Sequence, residues 1–222
     1  MIQRLRREMA AAANPTRAAG IQAYMKSTMP YYGINMPELR AMTRTLFATS
    51  PMSCREWHET ILRLWRGARH REERYVAQIL LEMKPIRECL TPRDMPWLEE
   101  MVVTGAWWDL VDELATIIGD VLRRYPEQMR PLMRKWSTDP NLWKRRVSII
   151  CQLRFKRDTD VELLYANIEP NLADRDFFVR KAIGWALRQY AWTDPQEVAR
   201  YVRENESRLS GLSKREALKN IG

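Results

Sequence analysis

"AWWDLVDELATIIGDVLRR", residues 106–124, decides the fold. On a helix turning about 100° per residue, it gathers Trp107, Trp108, Leu110, Val111, Leu114, Ile117, Ile118, Val121 and Leu122 on one arc. Asp109, Glu113, Asp120 and Arg124 fall opposite. Three more stretches carry the same pattern: "REERYVAQILLEMK" (71–84), "LWKRRVSIICQLRFK" (142–156) and "FFVRKAIGWALRQYA" (177–191). With Arg74, Asp109, Arg145 and Arg180 aligned, the steps are 35, 36 and 35 residues. A steady period of that size, with a second helix in each unit, marks a helical solenoid of the HEAT or armadillo type. The expected fold is all-α: antiparallel helix pairs stacked side by side, leaving one long concave face. No linker is evident, so residues 1–222 read as one domain.

Punctuation agrees. Asn14-Pro15, Met29-Pro30, Ser50-Pro51, Thr91-Pro92, Tyr125-Pro126, Asp139-Pro140 and Asp194-Pro195 suit helix ends or first turns. They bound helices that include 36–48, 53–67, 70–83, 107–124, 141–156 and 175–191.

Composition narrows the function. No apolar run reaches the length of a membrane span, and the N-terminus lacks the apolar segment of a secretory signal. The expected location is cytoplasmic. Cys54, Cys89 and Cys151 are widely spaced and form no CxxC, so three reduced thiols are expected. His58 and His70 belong to no HExxH, which argues against a metal site and a histidine-based nucleophile. No cofactor is called for. A net charge of +9 favours a polyanionic partner, nucleic acid or an anionic membrane surface.

Three helical wheels break their own rules. Asp112 sits at the border of its apolar arc, one turn after Trp108. Arg146 projects from the middle of an apolar arc, where a cation needs an anion or an opening. Trp185 lies at the edge of its arc, with Lys181 and Arg188 just beyond and Gly184 adding no bulk. Each has a plain structural reading: a salt bridge between neighbouring repeats, two core tryptophans, a solvated face. All three fall on corresponding faces of consecutive repeats, however, and stacking would bring them to one cleft. Cations bordering an aromatic edge suit a nucleic-acid backbone.

At this point "AYMKSTMPYYGINMPELR" (23–40), "TGAWWDLVDELA" (104–115), "LWKRRVSIICQLRFK", "DFFVRKAIGWALRQYA" (176–191) and "LSKREALKNI" (212–221) together resemble the AlkD-like DNA alkylation-repair glycosylases. The match runs in order over nearly the whole chain. The resemblance implies a monomeric enzyme of HEAT-like repeats that acts on double-stranded DNA. Its implied reaction is release of cationic alkylated purines, N3-alkyladenine and N7-alkylguanine, without a base-flipping pocket. No lysine has a clear Schiff-base environment in the sequence, so a monofunctional enzyme without strand cleavage is expected. The resemblance implies that Asp112 is the catalytic carboxylate, Arg146 its neighbour, and Tyr24, Trp108 and Trp185 the cleft aromatics. Phe178, Lys181, Arg188, Lys214 and Arg215 are the further candidates for DNA contact. It also implies that a family member runs a little beyond Gly222. The alternatives are a DNA-binding relative without catalysis and a protein-binding scaffold.

Overall fold

The computed structural model describes residues 1–47 and 52–221; the Ser50-Pro51 break and the end of helix 36–48 lie outside them. Among the described residues every regular element is helical, and none is long and apolar enough to cross a membrane. The helices group into two compact units, Met1–Leu90 and Thr91–Gly222.

The first unit contains α1 (Ile2–Ala11), α2 (Pro15–Met25), α3 (Met36–Phe47), α4 (Cys54–Arg66), α5 (Arg71–Glu82) and α6 (Lys84–Cys89). Helix α5 packs on α3, α4 and α6. Two buried carboxylates at its start organise what surrounds it. Glu72 accepts the backbone N–H groups of Tyr32, Gly33 and Ile34, at 3.0, 2.8 and 3.3 Å. Glu73 accepts from Arg6 at 2.8 Å and from the Arg69 and His70 amides. Charge-assisted bonds of this kind satisfy an ion that burial would otherwise penalise heavily. Glu72 thereby pins the "PYYGIN" segment, where Gly33 takes φ +81° against the backbone of α2.

Two expectations fail in this unit. Helix α6 follows the expected 70–83 helix where the sequence reading places none; Met83 turns out of helical geometry and Pro85 restarts the chain in a new helix. Cys54 and Cys89 are not free thiols. They form a disulfide, with Cα atoms 5.6 Å apart, between the first residue of α4 and the last of α6. Their separation of 35 residues resembles no motif, so only the folding back of α6 along α4 brings them together. Cys151 alone remains a thiol, buried and pushed up to about 12 by loss of solvent.

The second unit contains α7 (Met95–Gly105), α8 (Trp108–Arg124), α9 (Pro126–Ser137), α10 (Leu142–Ile150), α11 (Val161–Ile168), α12 (Phe177–Ala191), α13 (Pro195–Glu204) and α14 (Gly211–Ala217). The repeat helices follow one another in space: α8 packs on α10, α10 on α12, and α12 on α14. Helices α9 and α11 pack together and against the repeat helices beside them. This is an all-α architecture consistent with a helical repeat. Its core takes in the arc read from 106–124, with Leu110, Val111, Leu114 and Ile117 buried, and Val147, Ile150, Val179 and Ile183 of the neighbouring helices buried beside them.

Helix α10 ends at Ile150, six residues short of the expected 156. A buried glutamine draws the chain away. The Gln152 side chain donates to the Asp160 carbonyl at 3.0 Å and accepts the Asp160 amide at 2.8 Å. That clasp holds the 153–159 turn, in which Lys156 takes φ 55°. The turn also needs Gly119 of α8, because any Cβ there would collide with the Cys151 carbonyl.

Gly119→Ala is expected to destabilise the protein by about 1–3 kcal/mol through this backbone collision, read as a lower Tm in thermal melts. Reduction of Cys54–Cys89 is expected to cost about 2–4 kcal/mol through lost loop closure. Melts with and without dithiothreitol check it, and Cys54→Ser should melt alike in both.

Candidate functional site

Three helix starts set the site. Asn141 caps α10, its side chain accepting the amides of Trp143 and Lys144 at 2.9 and 3.3 Å. Asp176 caps α12 in the same way, from Phe178 at 2.7 Å and Val179 at 3.2 Å. Such caps fix where a helix begins, and therefore which residues face its neighbour. Helix α8 starts at Trp108, which places Asp112 one turn in.

Arg146 is the centre. Its Nε and Nη2 donate to Oδ1 and Oδ2 of Asp112, both at 2.7 Å, in a bidentate fork. Its Nη1 donates to the Phe178 carbonyl at 2.7 Å. Its guanidinium carbon lies 5.9 Å from the centre of the Trp185 ring. The two ions are unequally buried: the Arg146 side chain is 4% exposed, that of Asp112 18%. The carboxylate is thus the outward member of the pair. A carboxylate has about four acceptor positions and the fork fills two, so acceptor capacity remains on its open side.

Burial pushes the Asp112 carboxyl above the ordinary carboxylate range, and the charge of Asp109 adds to the rise. The hydrogen bonds and charge of Arg146 oppose it. Burial is the larger effect.

The other candidates divide. Trp108 is half-buried at the first turn of α8, and Trp185 is half-buried beside Arg146. The Phe178 ring packs against Trp143 at 5.0 Å and edge-on to Trp107 at 5.3 Å. Its nearest service to the site is its backbone carbonyl. Lys181 and Arg188 both reach Glu216 of α14, Lys181 at 2.7 Å, one on each carboxylate oxygen. Lys214 donates to the Glu206 carbonyl at 3.3 Å, and Arg215 is exposed. Tyr24, on α2 of the first unit, is 76% exposed.

Sequence reading missed two participants. A backbone acceptor such as the Phe178 carbonyl leaves no mark on a helical wheel. Glu216 did leave one: it lies between basic residues in "SKREALKN", and Gly184 faces it. A Cβ on Gly184 would sit 2.5 Å from the Glu216 Cβ and 2.8 Å from the Ser213 carbonyl oxygen, so this glycine admits α14 against α12. Among the described residues, no group of three His, Cys, Asp or Glu side chains is arranged to hold a metal ion.

A helical-repeat protein whose successive repeat helices converge on one outward-facing aspartate is the class that fold and site define together. Over residues 5–221 the chain matches the sequence pattern of the DNA alkylation repair enzymes, and it belongs to that family, as an AlkD-like member. It is also similar to a solved structure described as a predicted DNA alkylation repair enzyme from Enterococcus faecalis. The two share 30% identity over 95% of this chain and 97% of the other, with a TM-score of 0.86. No curated protein matches the chain.

The raised Asp112 value carries a sign that can be checked. A carboxyl that holds its proton more tightly when folded contributes stability below its unfolded pKa, and loses that contribution as pH rises through the folded value. Carbon-13 titration of Asp112 should show a midpoint above the ordinary carboxylate range. Arg146→Gln should move the midpoint further up, since it removes both opposing effects. In Asp112→Asn the corresponding step in the pH dependence of Tm should vanish.

Proposed function

We propose that this protein is a monofunctional DNA glycosylase that hydrolyses the N-glycosidic bond of cationic alkylated purines, N3-alkyladenine and N7-alkylguanine, in duplex DNA. Family membership supports the repair of alkylated DNA. The observation that carries the chemistry is the unequal burial of the Asp112–Arg146 pair, which turns a fixed carboxylate outward beside aromatic side chains.

An alkylated purine of this kind is positively charged. When the glycosidic bond breaks, its electron pair passes to the base nitrogen and the base departs neutral. No acid is needed to protonate it. The deoxyribose is left as an oxocarbenium-like cation. Asp112 stabilises that developing charge and orients a water whose oxygen bonds to C1′, with the water's proton passing to solvent. A preorganised group of this type commonly contributes about 3–4 kcal/mol. Arg146 holds the carboxylate in one orientation; it is a positioning residue. Trp108 and Trp185 offer ring faces to the cationic nucleotide, about 0.5–2 kcal/mol each.

In this reading the contacts go to the sugar and backbone, and the base is not rotated into a pocket. Phosphate contacts come from the basic residues around the site, with Lys181 and Arg188 exchanging Glu216 for DNA. Tyr24 contributes a further aromatic. The protein acts as a monomer in the cytoplasm.

The test is release of N7-methylguanine from a methylated duplex. The unmodified protein should release it, and Asp112→Asn should lose about 10²–10³-fold in rate while still binding DNA. Arg146→Lys should retain more activity than Arg146→Ala. Efficient release of an uncharged lesion such as uracil would overturn the mechanism, because an uncharged base departs as an anion that needs protonation or stabilisation, and the mechanism includes neither.

A further inference from the structure

A second feature lies at the other end of the same helices. A surface groove is lined by Arg123 of α8, by Arg154, Lys156 and Arg157 of the turn after α10, and by Trp192 at the end of α12. All four cations are exposed, and the Trp192 indole is 72% exposed, a costly position for so large an apolar side chain. Phe155 forms the floor, with the Arg123 guanidinium over its ring at 4.3 Å. Arg123 also donates to the Arg154 carbonyl at 3.0 Å. The opposing charges are few: Asp158 lines the groove, and Glu113 stands 3.9 Å from Arg154.

The groove is in register with the Asp112 site. Arg123 follows Asp112 by eleven residues on one unbroken helix, about three turns, so the two lie within about 20° of each other around α8 and about 16 Å apart along it. Trp192, the residue that caps α12 in αR geometry, follows Trp185 by seven residues, about two turns, and so falls close to the line of Trp185's stripe. On both helices, one edge therefore carries a site residue at one end and a groove residue at the other. Between them, α10 contributes Arg146 to the site and the following turn contributes Arg154 and Arg157 to the groove. The backbone of one DNA strand rises about 3.4 Å per nucleotide, so about 16 Å spans roughly five base pairs.

We propose that this groove binds the sugar–phosphate backbone of the same duplex, roughly five base pairs from the reacting nucleotide, with Trp192 packed on a deoxyribose. The proposal rests on the glycosylase reading above. An exposed ring among cations suits a backbone that alternates apolar sugar and anionic phosphate. The clasp of Gln152 on Asp160 has a purpose here: it presents the 153–159 turn in one conformation rather than as a loose basic loop.

Binding to an undamaged duplex of about 20 base pairs, followed by fluorescence anisotropy across a salt series, tests it. The charge-reversal variant Arg154→Glu/Arg157→Glu should weaken binding tenfold or more. It should also flatten the slope of log K against log salt by about two. Trp192→Ala should weaken binding about fivefold or more with the slope unchanged, the signature of a lost uncharged contact. Thermal melts of both variants should match the unmodified protein, since the altered side chains are exposed. If the unmodified protein binds the duplex and both variants keep its affinity and slope, the groove proposal is overturned and the glycosylase reading stands. If the unmodified protein binds no duplex at all, both fall.

Discussion

One guanidinium links three successive repeat helices. Arg146 leaves α10, grips both oxygens of Asp112 on α8, and donates to the Phe178 carbonyl at the start of α12. An arginine so far from water is tolerable only if its donors are satisfied. The spacing and register of α8, α10 and α12 must therefore be the ones that satisfy it. Removing either partner leaves a charge stranded in apolar surroundings. The pair that defines the site also specifies how the repeats stack around it.

Close approach between helices makes this possible. Gly119 lets the Cys151 carbonyl meet α8, and Gly184 lets Ser213 and Glu216 meet α12. Both glycines lie on repeat helices, and each removes a side chain where the neighbouring segment must come in. The aromatic cluster of Trp107, Trp143 and Phe178 fills the adjacent space with rigid rings. The rings hold the Phe178 backbone, and that backbone holds Arg146. Precision at the carboxylate is thus inherited from packing several residues away.

Much of this was legible in the sequence, for a physical reason. A helix that buries one stripe must show a 3.6-residue period, so the repeats, their spacing and their core residues could be read directly. A charge inside an apolar arc is a local contradiction, and Asp112 and Arg146 stood out for that reason. What stayed hidden depends on chain reversal or on backbone atoms. The Cys54–Cys89 bond needs α6 to fold back on α4. The early end of α10 is decided by Gln152 reaching a loop eight residues ahead, a contact that helical periodicity does not encode. The pairing of Lys181 and Arg188 with Glu216 joins two helices 28 or more residues apart. A wheel drawn for α12 alone shows those cations facing outward with nothing opposite.

On the proposed reading, in which Lys181 and Arg188 contact DNA, Glu216 already stands where the incoming phosphate would go. A phosphate arriving there would evict a resident carboxylate, where at a bare basic patch it would evict dissolved ions. The two cations are kept ordered and close together in the unliganded protein, and neither side chain has to be gathered from solution when an anion lands. In return, the local field is muted until the exchange occurs. The C-terminal helix thus behaves as a counterion that is part of the chain: its concentration is set by the fold and does not change with the salt outside.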